Sequence, residues 1–224
     1  RRTAQLPSPF EVSLRMSRGT LRGSGMLSFD IDEQGRYRSS LRLEGPAGRL
    51  LEQHSTGRAS PTGLEPAQFA DRRRGRGMRA VHFDEQEGVI RFSGPSIVQP
   101  LLPAAQDRLS WLLQLPAVLR ADPTLRAPGT RIHLQVAGAR GDADVWTFVV
   151  LGREALVGGT SPPHEWLHLQ RAARHPYDVQ IDLWLDADRE GVPRRWSVTP
   201  VPAGEPTVFE VEAKSEGTPP ERKP

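Results

Sequence analysis

Apolar and polar residues alternate along most of this chain, and the alternation predicts strands. Phe10, Val12, Leu14 and Met16 occupy every second position between polar neighbours, the period of a strand with one buried face. A turn at residues 17–19 leads to a second strand over residues 25–31, where Gly23 and Gly25 permit a bend or a close backbone approach. DEQGR closes the next hairpin. Strands follow at residues 37–43 and, after the Gly45-Pro46 break, at residues 50–56. Residues 67–73, 78–83 and 89–92 continue the series. In the second half, residues 131–137 and 144–151 flank the polar turn GARGD. YDVQIDLWL alternates strongly, with Val179, Ile181, Leu183 and Leu185 facing one way, and residues 196–201 and 207–213 complete the count.

One stretch departs from this period. Residues 100–121, PLLPAAQDRLSWLLQLPAVLRA, space their apolar side chains for a helix, with Leu109, Trp111, Leu112, Leu113 and Leu115 crowding one broad side. A solvated amphipathic helix needs less apolar surface, so a helix over residues 105–120 is expected against the concave face of the sheet. Pro116 lies inside the pattern and predicts an end or kink near Leu115, with residues 117–120 in a separate turn. About a dozen strands in meander order with one central helix predict a mainly β fold. The expected form is a single strongly curved antiparallel sheet or open β-barrel with the helix packed on its concave face. Residues 1–9 read as a linker, residues 10–213 as one barrel-like domain, and residues 214–224, charged and Pro-rich, as a disordered tail.

Composition adds constraints. Gly and Pro number 21 each in 224 residues, which suits many short strands and turns. Five of the aromatic residues are Trp, and large rings concentrated in this way suggest a roofed core or cavity. Trp111, Leu112, Leu115, Trp146, Phe148, Trp184 and Trp196 are therefore the candidate lining of a ligand cavity, core filling being the competing use. The net charge of +3 is spread over 30 cations and 27 anions, and no basic face is interleaved with aromatics, so nucleic acid is not expected as a partner. The absence of cysteine excludes disulfides, thiolate metal sites and Cys nucleophiles. No apolar stretch approaches the roughly 20 residues of a membrane span. With Arg at position 1 and no signal-peptide pattern, the chain reads as a processed or trimmed fragment, any export signal having been removed.

Few residues carry candidate chemistry. His164-Glu165-Trp166-Leu167-His168 matches H-E-x-x-H, which on a helix places two imidazoles on one face to hold zinc while Glu165 activates water. Leu167 and Leu169 instead alternate with His168 and Gln170 as in a strand, where the two histidines would stand about 13 Å apart. The strand is the preferred reading and a zinc hydrolase the alternative. Arg72, Arg74 and Arg76 in the run DRRRGRGMR suit an anionic headgroup at a cavity rim; a solvated hairpin paired to Asp71, Asp84 or Glu85 is the plainer reading. Asp107 of Gln106-Asp107-Arg108 is expected in the first helical turn, favoured by the helix dipole. Tyr177-Asp178 reads as a strand-entry hydrogen bond before an acid–base pair. There is no G-x-S-x-G elbow, Walker loop, dinucleotide fingerprint or EF-hand loop, so no cofactor and no enzymatic activity are expected.

In GLEPAQFADRRRGRGMRAVHFD, LLPAAQDRLSWLLQL and YDVQIDLWL the chain resembles the bacterial family called domain of unknown function 3108, DUF3108, over most of residues 10–200. The most specific matches are Asp71-Arg72-Arg73-Arg74-Gly75-Arg76, Gln106-Asp107-Arg108 and Tyr177-Asp178. The resemblance implies an exported Gram-negative protein of the periplasm or envelope, a strand at the HEWLH segment, and an architecture similar to the open barrels of periplasmic lipoprotein carriers. On that footing the expected function is non-enzymatic binding of an apolar or lipid-like ligand. A ligand-free structural domain that engages another envelope protein is the alternative of a different class.

Overall fold

The computed structural model describes residues 3–94, 96–155, 165–186 and 191–212. Among these residues it is mostly β, with one α-helix and one short 3-10 turn. A first arm is the antiparallel meander β1 (Phe10–Arg18), β2 (Leu21–Ile31), β3 (Arg36–Gly45), β4 (Gly48–Ser60), β5 (Gly63–Arg73), β6 (Arg79–Asp84), β7 (Val89–Phe92) and β8 (Val98–Pro100). The chain then crosses through β9 (Gln106–Asp107), helix α1 (Trp111–Ala121) and the 3-10 turn Pro123–Arg126. A second meander follows: β10 (Arg131–Ala137), β11 (Ala143–Ala155), β12 (Glu165–Arg171), β13 (Val179–Leu185), β14 (Pro193–Pro200) and β15 (Thr207–Val211). Antiparallel pairing of β15 with β1 fuses the arms into one fifteen-stranded sheet, and β9 adds in parallel to β10. The sheet does not close. Its free edges are β8 and β9.

The curved sheet wraps α1. One core cluster joins Trp111, Leu112, Leu115 and Leu119 of the helix to inward residues of both arms, such as Leu14, Phe69 and Ile90 on one side and Phe148, Leu169 and Leu183 on the other. Leu113 faces a smaller cluster with Phe29, Tyr37 and Leu64. Every residue from Trp111 to Leu119 is buried, as the excess of apolar surface on this stretch requires. Gly23 and Gly25 stand where an added Cβ would come within 2.5 and 2.4 Å of the carbonyl oxygens of Glu44 and Arg42, which accounts for the close β2–β3 approach.

The crossing segment differs from its sequence pattern. The helix begins at Trp111, because the Asp107 carboxylate accepts the backbone N–H groups of Leu109 and Ser110, both at 2.8 Å, and turns the chain before it can coil. Pro116 neither ends nor splits α1. A proline inside a helix costs about 3 kcal/mol, and a helix enclosed on all sides offsets that through packing. β8 and β9, of three and two residues, are too short for a period of two to register. The segment ahead of β1 has no regular structure but is tied to the barrel: Ala4 N–H donates to Pro61 O at 3.0 Å and Gln5 N–H to Ala117 O at 2.9 Å. The tail expected from residue 214 lies outside the described residues.

Candidate ligand cavity

The two arms meet along a seam that no strand ladder closes, and buried amides and a carboxylate bridge it. Gln106, on β9, donates through Nε2 to Leu64 O at 2.9 Å. Gln114, on α1, accepts Leu64 N–H at 2.8 Å and donates to Thr62 O at 2.8 Å. Gln135, on β10, accepts Leu102 N–H at 2.8 Å and donates to Pro100 O at 2.8 Å. Each satisfies backbone groups that would otherwise be buried unpaired at a broken sheet. Asp107, 0% exposed, accepts the Ser55 hydroxyl of β4 at 2.5 Å, and Ser55 meets the Tyr37 hydroxyl of β3 at 2.8 Å. Burial pushes the Asp107 carboxyl up to about 6, against the opposing pull of its hydrogen bonds from Ser55, Ser110 and Leu109. Burial also raises the Tyr37 phenol well above its ordinary value, with the Asp107 charge adding to it. The Gln106-Asp107-Arg108 motif thus pins the seam, a role that its residue types alone did not reveal.

Beside the pin lies an apolar cavity of about 390 Å³. Trp111 and Leu112 of α1, Trp146 of β11, Trp196 of β14 and Phe209 of β15 line it, with Leu41 and Leu43 of β3 on the opposite wall. Trp196 and Phe209 form a cross-strand stacked pair with centroids 4.9 Å apart. Trp111 packs on Trp146 at 5.8 Å and on Phe148 at 5.2 Å. Four of the sequence candidates, Trp111, Leu112, Trp146 and Trp196, are therefore brought together on the cavity wall. Leu115 and Phe148 are fully buried in the adjoining core and do not line it. A second, larger groove of about 720 Å³ runs along the seam between Phe83, Leu101 and Leu134. Its rim carries both charge signs, Arg58, Glu65 and Glu85 among them, and it holds no tryptophan.

Trp184 stands apart from this set. Leu183 and Leu185 point into the core, so Trp184 lies on the outer face of the sheet, where it stacks on His168 at 4.6 Å, hydrogen-bonds Glu154 and carries Arg195 over its ring at 5.1 Å. The alternation of YDVQIDLWL already contained this assignment. His168 Nε2 bonds Asp182 Oδ1 at 2.9 Å on the same face. Glu165 and His168 are three residues apart on the extended β12, hence on opposite faces, and the helical geometry that H-E-x-x-H needs is not formed there. His164 lies outside the described residues. Among the described residues no group of three His, Cys, Asp or Glu side chains is placed to hold a metal ion.

Arginines mark one side of the cavity. Arg18, Arg73 and Arg108 reach its wall. Arg108 pairs with Asp142 and lies 4.6 Å over the Trp146 ring, with Arg171 at the same distance from that ring. Arg171, whose side chain is 3% exposed, takes the Asp178 carboxylate through Nη2 at 2.9 and 3.1 Å. Burial pushes the Asp178 carboxyl up, but bonds from Arg171 and the N–H groups of Arg174 and Val179 outweigh it and hold the group at about 2. Tyr177 is 92% exposed, and its neighbour Asp178 is committed to Arg171, so the pair is a strand-entry anchor. Arg72, Arg74 and Arg76 line a separate open basin of about 600 Å³ that shares Arg73 with the apolar cavity. Of that run only Arg73 pairs with Asp71, at 3.1 Å. Asp84 is engaged by Arg91 instead.

The profile of the family described as "Protein of unknown function (DUF3108)" matches residues 10–210. No curated protein matches the chain. Among solved structures, a crystal structure of a beta-barrel-like protein of domain of unknown function DUF1849 from Brucella abortus superposes with a TM-score of 0.59. It is 12% identical, and the match covers 93% of this chain and 97% of that one. At that identity the likeness shows the fold.

Proposed function

This chain belongs to the DUF3108 family, and from that premise we propose that it is a non-enzymatic binding domain of the bacterial periplasm or envelope that holds an apolar, lipid-like ligand. The observation that carries this reading is the 390 Å³ cavity walled by Trp111, Leu112, Trp146, Trp196 and Phe209 beside a buried helix. Retention is by burial: each methylene withdrawn from water contributes about 0.8 kcal/mol, so an alkyl chain needs few polar contacts.

A fluorescent fatty-chain probe whose emission rises in apolar surroundings tests this. It is expected to saturate at one per chain and to lose its signal in Val198→Trp, which places an indole on the cavity wall. Equal binding by both proteins would place the probe elsewhere and refute the reading. A structural role receives some support from Ile97, Val98 and Leu102, apolar residues 45, 50 and 42% exposed beside the β8 edge, where a partner strand or side chain would add.

A further inference from the structure

We propose that the ligand is a single-chain amphiphile whose head is a phosphate monoester, held by the arginine cluster of the basin that adjoins the cavity. This rests on the apolar-cavity reading and specifies its occupant. Two cavities of opposite character adjoin: the apolar one and the basin lined by Glu44, Arg49, Arg72, Arg74 and Arg76, with Arg73 in the wall of both. A chain in the first places its head at the second.

The basin is short of counter-charge. Arg49 is neutralised by Glu44 at 3.1 Å and Glu52 at 2.9 Å, and Arg73 shares Asp71 with Gln53. Arg72, Arg74, Arg76 and Arg79 form no ion pair among the described residues, and neither does Arg140 in the β10–β11 turn of the other arm. The charge of Arg73 above all, then burial and the charges of Arg76 and Arg79, holds the Arg140 guanidinium below the usual range against the opposing pull of Asp71. Like charges gathered in the basin without partners repel, and a multivalent anion removes that cost. Arginine forks recognise phosphate oxygens bidentately, and a phosphate monoester offers three acceptor oxygens and nearly two charges, whereas a carboxylate satisfies one fork.

Calorimetric titration with octyl phosphate, octyl glucoside and inorganic phosphate, each below any micelle threshold, tests the assignment. Octyl phosphate is expected to bind at least about tenfold tighter than octyl glucoside, the worth of one or two charge-assisted bonds, and inorganic phosphate more weakly than octyl phosphate. Arg74→Gln with Arg76→Gln, both at exposed positions, is expected to bring octyl phosphate down to the affinity of octyl glucoside. Equal affinities for the two octyl compounds in the wild-type protein would overturn the phosphate head and leave the cavity reading standing. Inorganic phosphate binding as tightly as octyl phosphate would show an anion site unconnected to the cavity and also overturn it. If neither octyl compound binds, the cavity reading fails and takes the head with it.

Discussion

Asp107 shows how far a residue's role can sit from its sequence neighbourhood. Its spacing ahead of an apolar run suggests a carboxylate in the first helical turn, whereas it is a fully enclosed acceptor for Ser55, Leu109 and Ser110. No local signal shows this, because Ser55 is 52 positions away and only the fold brings it near. Because the folded carboxyl titrates at about 6 and an unfolded one near 4, its contribution to stability is full below about 4 and is lost as pH rises through 6. Urea midpoints should show the protein about 1 kcal/mol more stable at pH 5 than at pH 7 from this group, and Asp107→Asn should remove that difference. Asp178 has the opposite sign: held at about 2, it stabilises above about 4 and is lost as pH falls through 2. Removing it strands the buried Arg171, so Asp178→Ala should cost about 3–5 kcal/mol by thermal or denaturant unfolding, far above an exposed pair such as Arg15–Glu210.

Elements were legible where their period had room to repeat. Strands such as β1 and β13 declare themselves through four inward apolar positions, and the glycines of β2 declare the approach of β3. The start of α1 was not legible, since apolar spacing continues upstream of Trp111 while side-chain capping by Asp107 decides the backbone. What anchors α1 is also nonlocal. Gly63 adopts φ +110°, and an added Cβ would stand 2.0 Å from Gln114 Oε1, so the β4–β5 turn and the helix amide fit only with glycine there. Gly63→Ala should cost about 2 kcal/mol or more, and Gln114→Ala about 1–3 kcal/mol through the unpaired Leu64 N–H and Thr62 O. In a double-mutant cycle the two should couple, Gly63→Ala costing less once the Gln114 amide is absent.

At the scale of the molecule, the mainly β open sheet around a helix followed from pattern and resemblance, while the seam and its glutamines did not. A hydrophobic pattern specifies which faces are buried; it does not say where a fifteen-stranded sheet stops, because that depends on which edges meet. The tryptophans separate on the same ground. Trp111, Trp146 and Trp196 face inward and Trp184 outward, so Trp196→Ala should cost about 3–5 kcal/mol and alter probe binding, whereas Trp184→Ala should leave probe binding unchanged. The measurement that tests the central claim most directly is native mass spectrometry of the chain exported to a bacterial periplasm and purified without detergent, with Val198→Trp alongside. A heterogeneous adduct of single-chain lipid mass on the wild-type protein, absent from the variant, is the predicted result. A bare wild-type chain, or the same adduct on both proteins, would contradict it.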